Sequence, residues 1–430
     1  MISLPLGSGL FSSYRATGQD LGLCLILILL AILGPRVSVR SRERIYLAIG
    51  GILHLWVLGP TLTAVYLGFL VFVLACFRAG KWVAPLPIIL LPIFLTGILF
   101  KKELVPFQPA PLAQFVCFAQ WLRIWAWYVD LRDGLLKPAD QSEEKFFFFF
   151  LLPSFAPNFL SANFLVLSPA AFFKSRVENP PASLVWAGIR LLALSVLYAN
   201  FTAILQKFHV SLQSQSLTSL VSAWSRGEKI PAHELWRVIY IEQLNVFLQF
   251  ASISHCRIGF LNLMGYNVPP QFNKPWAALN FSDLWRRFSL HYRDFLSRVF
   301  FSRPFLILHR LPGSLRISFS IFIAAGVGNF LVHLYFHALS GGLPAIQAST
   351  LKSWPYYIIL SFLIAMSTQW RPGKKSQRRT WEWGLGLPRN ILQAFVTVSI
   401  FCLIHVFARH SEGTTNQHSL EILLTALGLR

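Results

Sequence analysis

Charge is what this sequence has least of: Asp, Glu, Lys and Arg together make up 13% of its 430 residues, against 55% apolar ones. A soluble domain carries about 25% charged residues. With a mean hydropathy of +0.55, the composition excludes a soluble globular enzyme and predicts an all-α, polytopic membrane protein. Cysteine is also sparse. Cys24, Cys76, Cys117, Cys256 and Cys402 are scattered without CxxC spacing, so neither a zinc site nor a disulfide framework is indicated, and they read as small buried hydrophobes. Acidic residues number 17 against 38 basic ones, a formal charge of +21. The cations fall in short loops between apolar runs, as in "RVSVRSRER" (36–44), "RAGKW" (78–82) and "RPGKKSQRR" (371–379). That distribution follows the positive-inside bias and attraction to anionic headgroups. The loops lack interleaved stacking aromatics, which argues against nucleic acid as a partner. A fixed-period repeat, a hydrophilic stretch long enough for a second soluble domain and a secretory leader are also missing, since Met1–Asp20 is mixed and only then does the first apolar run begin.

Apolar segments recur at roughly Leu21–Leu33, Ile45–Phe77, Trp82–Phe100, Leu112–Val129, Phe146–Phe173, Leu184–Leu205, Trp236–Met264, Ser314–Leu339, Trp354–Met366 and Ile391–Phe407. A span needs about 20 residues, so Ile45–Phe77 predicts two short helices broken at Gly59–Pro60. The total is ten or eleven helices in a single domain, 1–430, with basic or interfacial segments at 36–44, 265–300 and 371–390. Pro and polar residues in "LLPSFAPNFLSANFLVLSPAAF" (151–172) suit a re-entrant or cavity-lining segment. The run "KFFFFF" (145–150) reads as packing against lipid or headgroups.

Ionisable groups cost a few kcal/mol or more in hydrocarbon, so those inside spans face a bundle interior or a cavity. Three clusters of this kind occur. In "AQFVCFAQWLRIWAWYVDLRDG" (113–134), Gln120, Arg123 and Asp130 interrupt an aromatic helix. The segment "EQLNVFLQFASISHCRIG" (242–259) carries Glu242, Gln243, Asn245, Gln249, His255 and Arg257. The third, "AAGVGNFLVHLYFHAL" (324–339), places Asn329, His333 and His337 in an otherwise apolar helix. Between the second and third lies "GYNVPPQFNKPWAALNFSDLWRRFSLHYRDF" (265–295), whose Pro269, Pro270 and Pro275 forbid a regular helix at first. Ser282 can cap an interfacial helix that starts at Asp283. Any single cluster is explained by structural pairing, and spacing alone favours a core role for His333. The HxxxH of His333 and His337 lacks the Glu of a zinc protease motif and a third ligand.

The order of these motifs resembles the membrane-bound O-acyltransferase family, in its bacterial branch of alginate O-acetyltransferases and the D-alanyl transfer protein of teichoic acid synthesis. Phe118, Asp130 and Gly134 match an early helix of that branch, and Phe250, Ser254, Ile258 and Gly259 match a later one, in which His255 stands for the family's Asp. "PPQFNKPWAALNFSDLWRR" answers "P-x-N-F-x-x-P-Y-x-A-x-S-x-x-x-F-W-R-R" through Pro270, Phe272, Pro275, Trp276, Ala277, Trp285, Arg286 and Arg287. "FVTVSIFCLIHVFARHS" looks like the family's C-terminal helix. Two departures fall where the chemistry should be. Phe288-Ser289 replaces the family's Trp-His, with His291 the nearest imidazole, and "G-L-W-H-G" lands on "GVGN", placing Asn329 at the family's His and His333 one turn later.

The resemblance implies a fold with a polar central cavity and transfer of an acyl group, most plausibly acetyl, from a cytosolic thioester to a hydroxyl of an envelope or secreted polysaccharide. Acyl-CoA or an acyl-carrier-protein thioester would be the co-substrate, with no bound cofactor and no metal. His333 would be the base, Asn329 its orienter or an oxyanion donor, and His291 a second candidate. Trp285, Arg286, Arg287, His337, Asn273, Gln120, Arg123, Asp130 and His255 would form the substrate-binding set. Membrane lipid, the donor, the acceptor and a separate extracytoplasmic acyltransferase are the implied partners, in a bacterial inner membrane. Two other functions fit the same pattern: a non-catalytic scaffold or lipid-binding protein that keeps the fold, and a transporter, against which stands the lack of an inverted repeat.

Overall fold

A computed structural model describes residues 36–80, 82–90, 111–152, 166–211, 216–369, 386–409 and 414–429, with 26, 28–30 and 32 of the first apolar run. The rest of that run and the 91–110, 153–165 and 370–385 stretches, which include the basic loop 371–379, lie outside the described residues. The described residues are 81% helical, with no strand among them. Among the described residues, four helical segments are long and apolar enough to cross a membrane: Gly59–Arg78, Ala182–Lys207, Gly313–His337 and Pro388–Ala408. Their outer faces carry bare apolar side chains such as Val65, Val196 and Leu392, each more than 60% exposed, a surface that belongs in hydrocarbon rather than water. The Trp354–Gln369 helix is short at 16 residues, and Ala232–Leu263 is long but carries Glu234, Arg237, Glu242 and Arg257.

The chain divides into two compact units, one of residues 13–199 and 250–271, the other of 1–12, 200–249 and 272–430. The first unit begins with α1 (Val39–Arg78), which Gly59 interrupts at φ 75, ψ 170 just before Pro60. Two contacts at the turn and two ion pairs at the far end show that this break folds the helix back on itself. The rings of His54 and Tyr66 stack at 5.6 Å, and the Thr63 hydroxyl donates to the His54 carbonyl at 3.1 Å, although twelve residues of straight helix would span about 18 Å. At the other end, Arg44 pairs with Glu144 at 3.0 Å and Arg78 with Glu143 at 2.5 Å. Both ends of α1 therefore meet one helix start, and its arms are two antiparallel helices of about 30 Å each. The break expected at Gly59–Pro60 is present, and His54 is buried at the turn.

The aromatic run corrects the sequence reading. Helix α3 (Glu143–Phe150), after α2 (Pro111–Arg132), is capped by Ser142, whose hydroxyl accepts from the Lys145 N–H. Phe146, Phe148, Phe149 and Phe150 are buried against Trp127, Phe172, Phe173 and Tyr266. Turned inward, the rings fill the space between Trp127, Phe172 and Tyr266 and pack edge-on or tilted against them. The 36–44 stretch is likewise not only a surface loop. Arg42 is fully buried, donating to the Val177 carbonyl at 2.9 Å with its guanidinium over the Tyr266 ring, and Glu43 pairs with Lys145 and Arg176. Helix α4 (Pro169–Lys174) is short. Helices α5 (Ala182–Ser211) and α7 (Ala232–Leu263) run through the boundary between the units. Within the first unit they touch at Gly188 and Gly259, where a Cβ on Gly188 would lie 2.9 Å from the Gly259 carbonyl oxygen.

The second unit contains α6 (Leu217–Ser225), α8 (Phe281–Arg287), α9 (Leu290–Leu296), α10 (Ser302–Ile307), α11 (Gly313–Ile321), a π-helical segment Phe322–Gly328, α12 (Asn329–Ala345), α13 (Trp354–Gln369), α14 (Gly386–Ile404) and α15 (Asn416–Ala426). Its core gathers Phe247, Phe281, Ala325, Tyr357, Leu360 and Phe401. The interfacial helix differs from its expected form. Asn280 rather than Ser282 caps it, accepting from the Asp283 N–H at 2.8 Å. It ends at Phe288, and Ser289, left-handed at φ 67, starts α9 in a new direction. Cys76 and Cys402 are buried and Cys256 half-buried.

Candidate functional site

A group of buried and half-buried polar side chains gathers around α12 in the second unit. The small residues of "FIAAGVG" let the chain approach its neighbours closely: a Cβ on Gly328 would stand 2.6 Å from the Phe300 ring, and one on Gly326 would stand 3.2 Å from the Ser361 hydroxyl. These residues form the π segment. Such segments add a residue per turn and shift the face that the following helix presents, and they recur at functional sites. Asn329 follows at once and is 5% exposed. Its Oδ1 accepts from the Tyr292 hydroxyl at 2.9 Å. With the carbonyl side of the amide occupied, the Nδ2 hydrogens point the other way and are available as donors.

One turn on, the half-buried His333 lies with its ring 5.6 Å from that of Tyr357, tilted by 47°. His337 packs edge-on to Phe336 and is within electrostatic reach of His333 and Arg409. His405 joins the same group: its ring stands 4.7 Å from Tyr356, its Nδ1 is 3.1 Å from the Phe401 carbonyl, and it lies within electrostatic reach of His333 and Arg409. Arg409 is anchored by Glu242 at 3.0 Å, whose second oxygen accepts from the Leu217 N–H at 2.6 Å, at the start of α6. His291 is buried beside Tyr292 in α9. The arrangement therefore offers imidazoles, an oriented amide and three tyrosine hydroxyls around one helix. Among the described residues, no three His, Cys, Asp or Glu side chains converge as a metal ion requires.

The two arginines expected in the substrate-binding set share one carboxylate. Asp283 takes Arg286 on Oδ1 at 2.7 Å and Arg287 on Oδ2 at 2.8 Å. The Arg286 side chain is 66% exposed and that of Arg287 18%, so the first pair contributes little and the second fixes the end of α8. Arg287 also holds the preceding loop, its carbonyl accepting from the Asn273 N–H at 2.9 Å. Trp285 packs on the core of this unit.

Gln120, Arg123, Asp130 and His255 belong to the first unit. All four are buried. Asp130 has a structural job: its Oδ2 accepts from the Ser168 hydroxyl at 2.5 Å and the Ala170 N–H at 2.9 Å, at the start of α4. Arg123 lies within electrostatic reach of Arg257, Tyr66 and His54. His255 packs its ring 5.6 Å from that of Tyr198.

Sequence reasoning found Asn329, His333 and His337 but passed over Tyr292, Tyr356, Tyr357, His405 and Arg409. A signal existed for the last two. "HVFARH" (405–410) closes an apolar run with a histidine and an arginine four residues apart, on one helical face. The tyrosines gave none, since a tyrosine in an aromatic-rich span reads as packing. Compared with known protein families the chain gives no match, and compared with curated proteins it gives none either.

Proposed function

We propose that the protein is a membrane-bound O-acyltransferase of a divergent kind, with His333 and Asn329 at its reacting centre. The observation that carries the reading is the Tyr292 hydroxyl fixed on Asn329 one turn before an imidazole, on a helix long enough to cross a membrane. In the proposed reaction His333 takes the proton of an acceptor hydroxyl while its oxygen attacks the carbonyl carbon of a thioester. The Asn329 Nδ2 hydrogens stabilise the resulting oxyanion; collapse breaks the C–S bond, and the imidazolium returns its proton to the leaving thiolate. The products are an ester and a free thiol. A positioned imidazole supplies about 10²–10⁴-fold and an oxyanion donor about 10²–10³-fold, so neither residue is dispensable.

In this reading the fold has ten or eleven spans around a polar cavity in a bacterial inner membrane. The donor is a coenzyme A or carrier-protein thioester, and the exposed Arg286 serves its phosphates. The acceptor is a glycan hydroxyl, with a separate extracytoplasmic acyltransferase as partner. The collinear motifs support the family, and the substitution of Phe288-Ser289 for Trp-His is the feature that favours a non-catalytic scaffold instead. The decisive experiment is transfer of labelled acetyl from acetyl-CoA to surface polymer in membranes carrying the wild-type chain, His333→Ala or Asn329→Ala at matched abundance. A loss of about 100-fold or more in both variants is expected. Wild-type transfer by His333→Ala would remove the imidazole from the mechanism, and no transfer dependent on the wild-type chain would leave the scaffold.

A further inference from the structure

A groove of about 750 Å³ opens in the second unit between the Asn273–Ala277 loop and α14. Its two sides differ in chemistry. On one side stand Asn273, Lys274 and Arg287; on the other Ile391, Ala394, Phe395 and Val398 make a single apolar face of α14 at helical spacing. Phe395 is 60% exposed and Ile391 51%, in a segment long and apolar enough to span. Lys274 is exposed and held in the left-handed region at φ 49, with the Asn273 N–H bonded to the Arg287 carbonyl before it and its own carbonyl accepting from Ala277 at 2.9 Å after it. A side chain in that conformation costs conformational energy, which the surrounding bonds offset. Asp283 is the one carboxylate facing both Arg286 and Arg287, so with Lys274 exposed beside them this end of the groove keeps a net positive charge. The start of α14 adds Arg389, and residues 371–379 upstream hold five Lys or Arg and no acid. This cationic end belongs on the cytoplasmic face, where anionic lipids are concentrated.

We propose that this groove holds one anionic phospholipid of the cytoplasmic leaflet, its phosphate against Lys274 and Arg287 and an acyl chain along Ile391, Phe395 and Val398. The size suits a headgroup and the upper part of one chain. The proposal does not depend on acyl transfer, and its test reads lipid occupancy alone. The full chain is placed in nanodiscs of phosphatidylcholine doped with phosphatidylglycerol, each lipid in turn carrying a photoreactive acyl chain, and the crosslinked peptide is mapped. The expected result is labelling of residues 391–398 by phosphatidylglycerol well above that by phosphatidylcholine. Lys274→Gln, at an exposed position that leaves the fold standing, should lower it by roughly fivefold, the worth of one interfacial charge. Ala394→Trp, which fills the groove, should abolish it. Equal labelling by the two lipids, labelling unchanged in both variants, or displacement of the label by soluble acetyl-CoA would overturn the assignment.

Discussion

Asn329 can act as a donor only while its amide is turned the right way, and a single phenol turns it. Tyr292→Phe removes the hydroxyl and leaves a buried carbonyl oxygen without its bond, a loss of about 1–3 kcal/mol. The variant should melt lower in a thermal unfolding assay and, if the proposed reaction holds, lose acyl transfer in proportion to the freedom the amide regains. Glu242→Gln is expected to cost more, about 3–5 kcal/mol, because Arg409 keeps its charge in a largely buried place. Unfolding in detergent should show this without any assay of activity. At this scale the sequence was legible where polarity contradicted its surroundings, as at Asn329 and His333. It was silent where identity and surroundings agreed. Tyr292 lies 37 positions before the amide it orients, and no spacing rule links residues so far apart. Asp130 shows the opposite case: its depth suggested a binding role, while its oxygen engages the start of α4.

Helices meet most closely where side chains are absent, and in a membrane such contacts carry much of the packing. Gly188→Ala would push a methyl to 2.8 Å from the Leu263 side chain and 2.9 Å from the Gly259 carbonyl oxygen. The backbone cannot yield as a flexible side chain can, so a cost of about 1–3 kcal/mol is expected, read as lowered thermal stability. Adding Gly259→Ala should cost less than its separate effect, since both methyls contend for one gap. Among elements, the break at Gly59–Pro60 was legible because glycine and proline act on their own backbone. The cap of α8 was not, since Asn280 and Ser282 are both competent capping residues and only packing chooses between them. The buried phenylalanines of α3 were misread for a related reason: hydropathy measures how apolar a stretch is, not whether protein or lipid covers it.

The whole chain should behave as an integral membrane protein: alkaline carbonate is expected to leave it in the pellet and detergent to release it, and recovery in the carbonate supernatant would contradict a membrane role for the four described helices long and apolar enough to span. One feature of the first unit then bears on how the chain threads the bilayer. Arg44, near the start of α1, and Arg78, at its end, pair with adjacent glutamates of α3, so the segment departs from and comes home to one side. Topology reporters inserted before Val39 and after Gly80 should therefore give the same sidedness. A segment that returns contributes an even number of crossings, so it leaves the compartment of every later loop unchanged, and the parity of the chain is decided downstream of it.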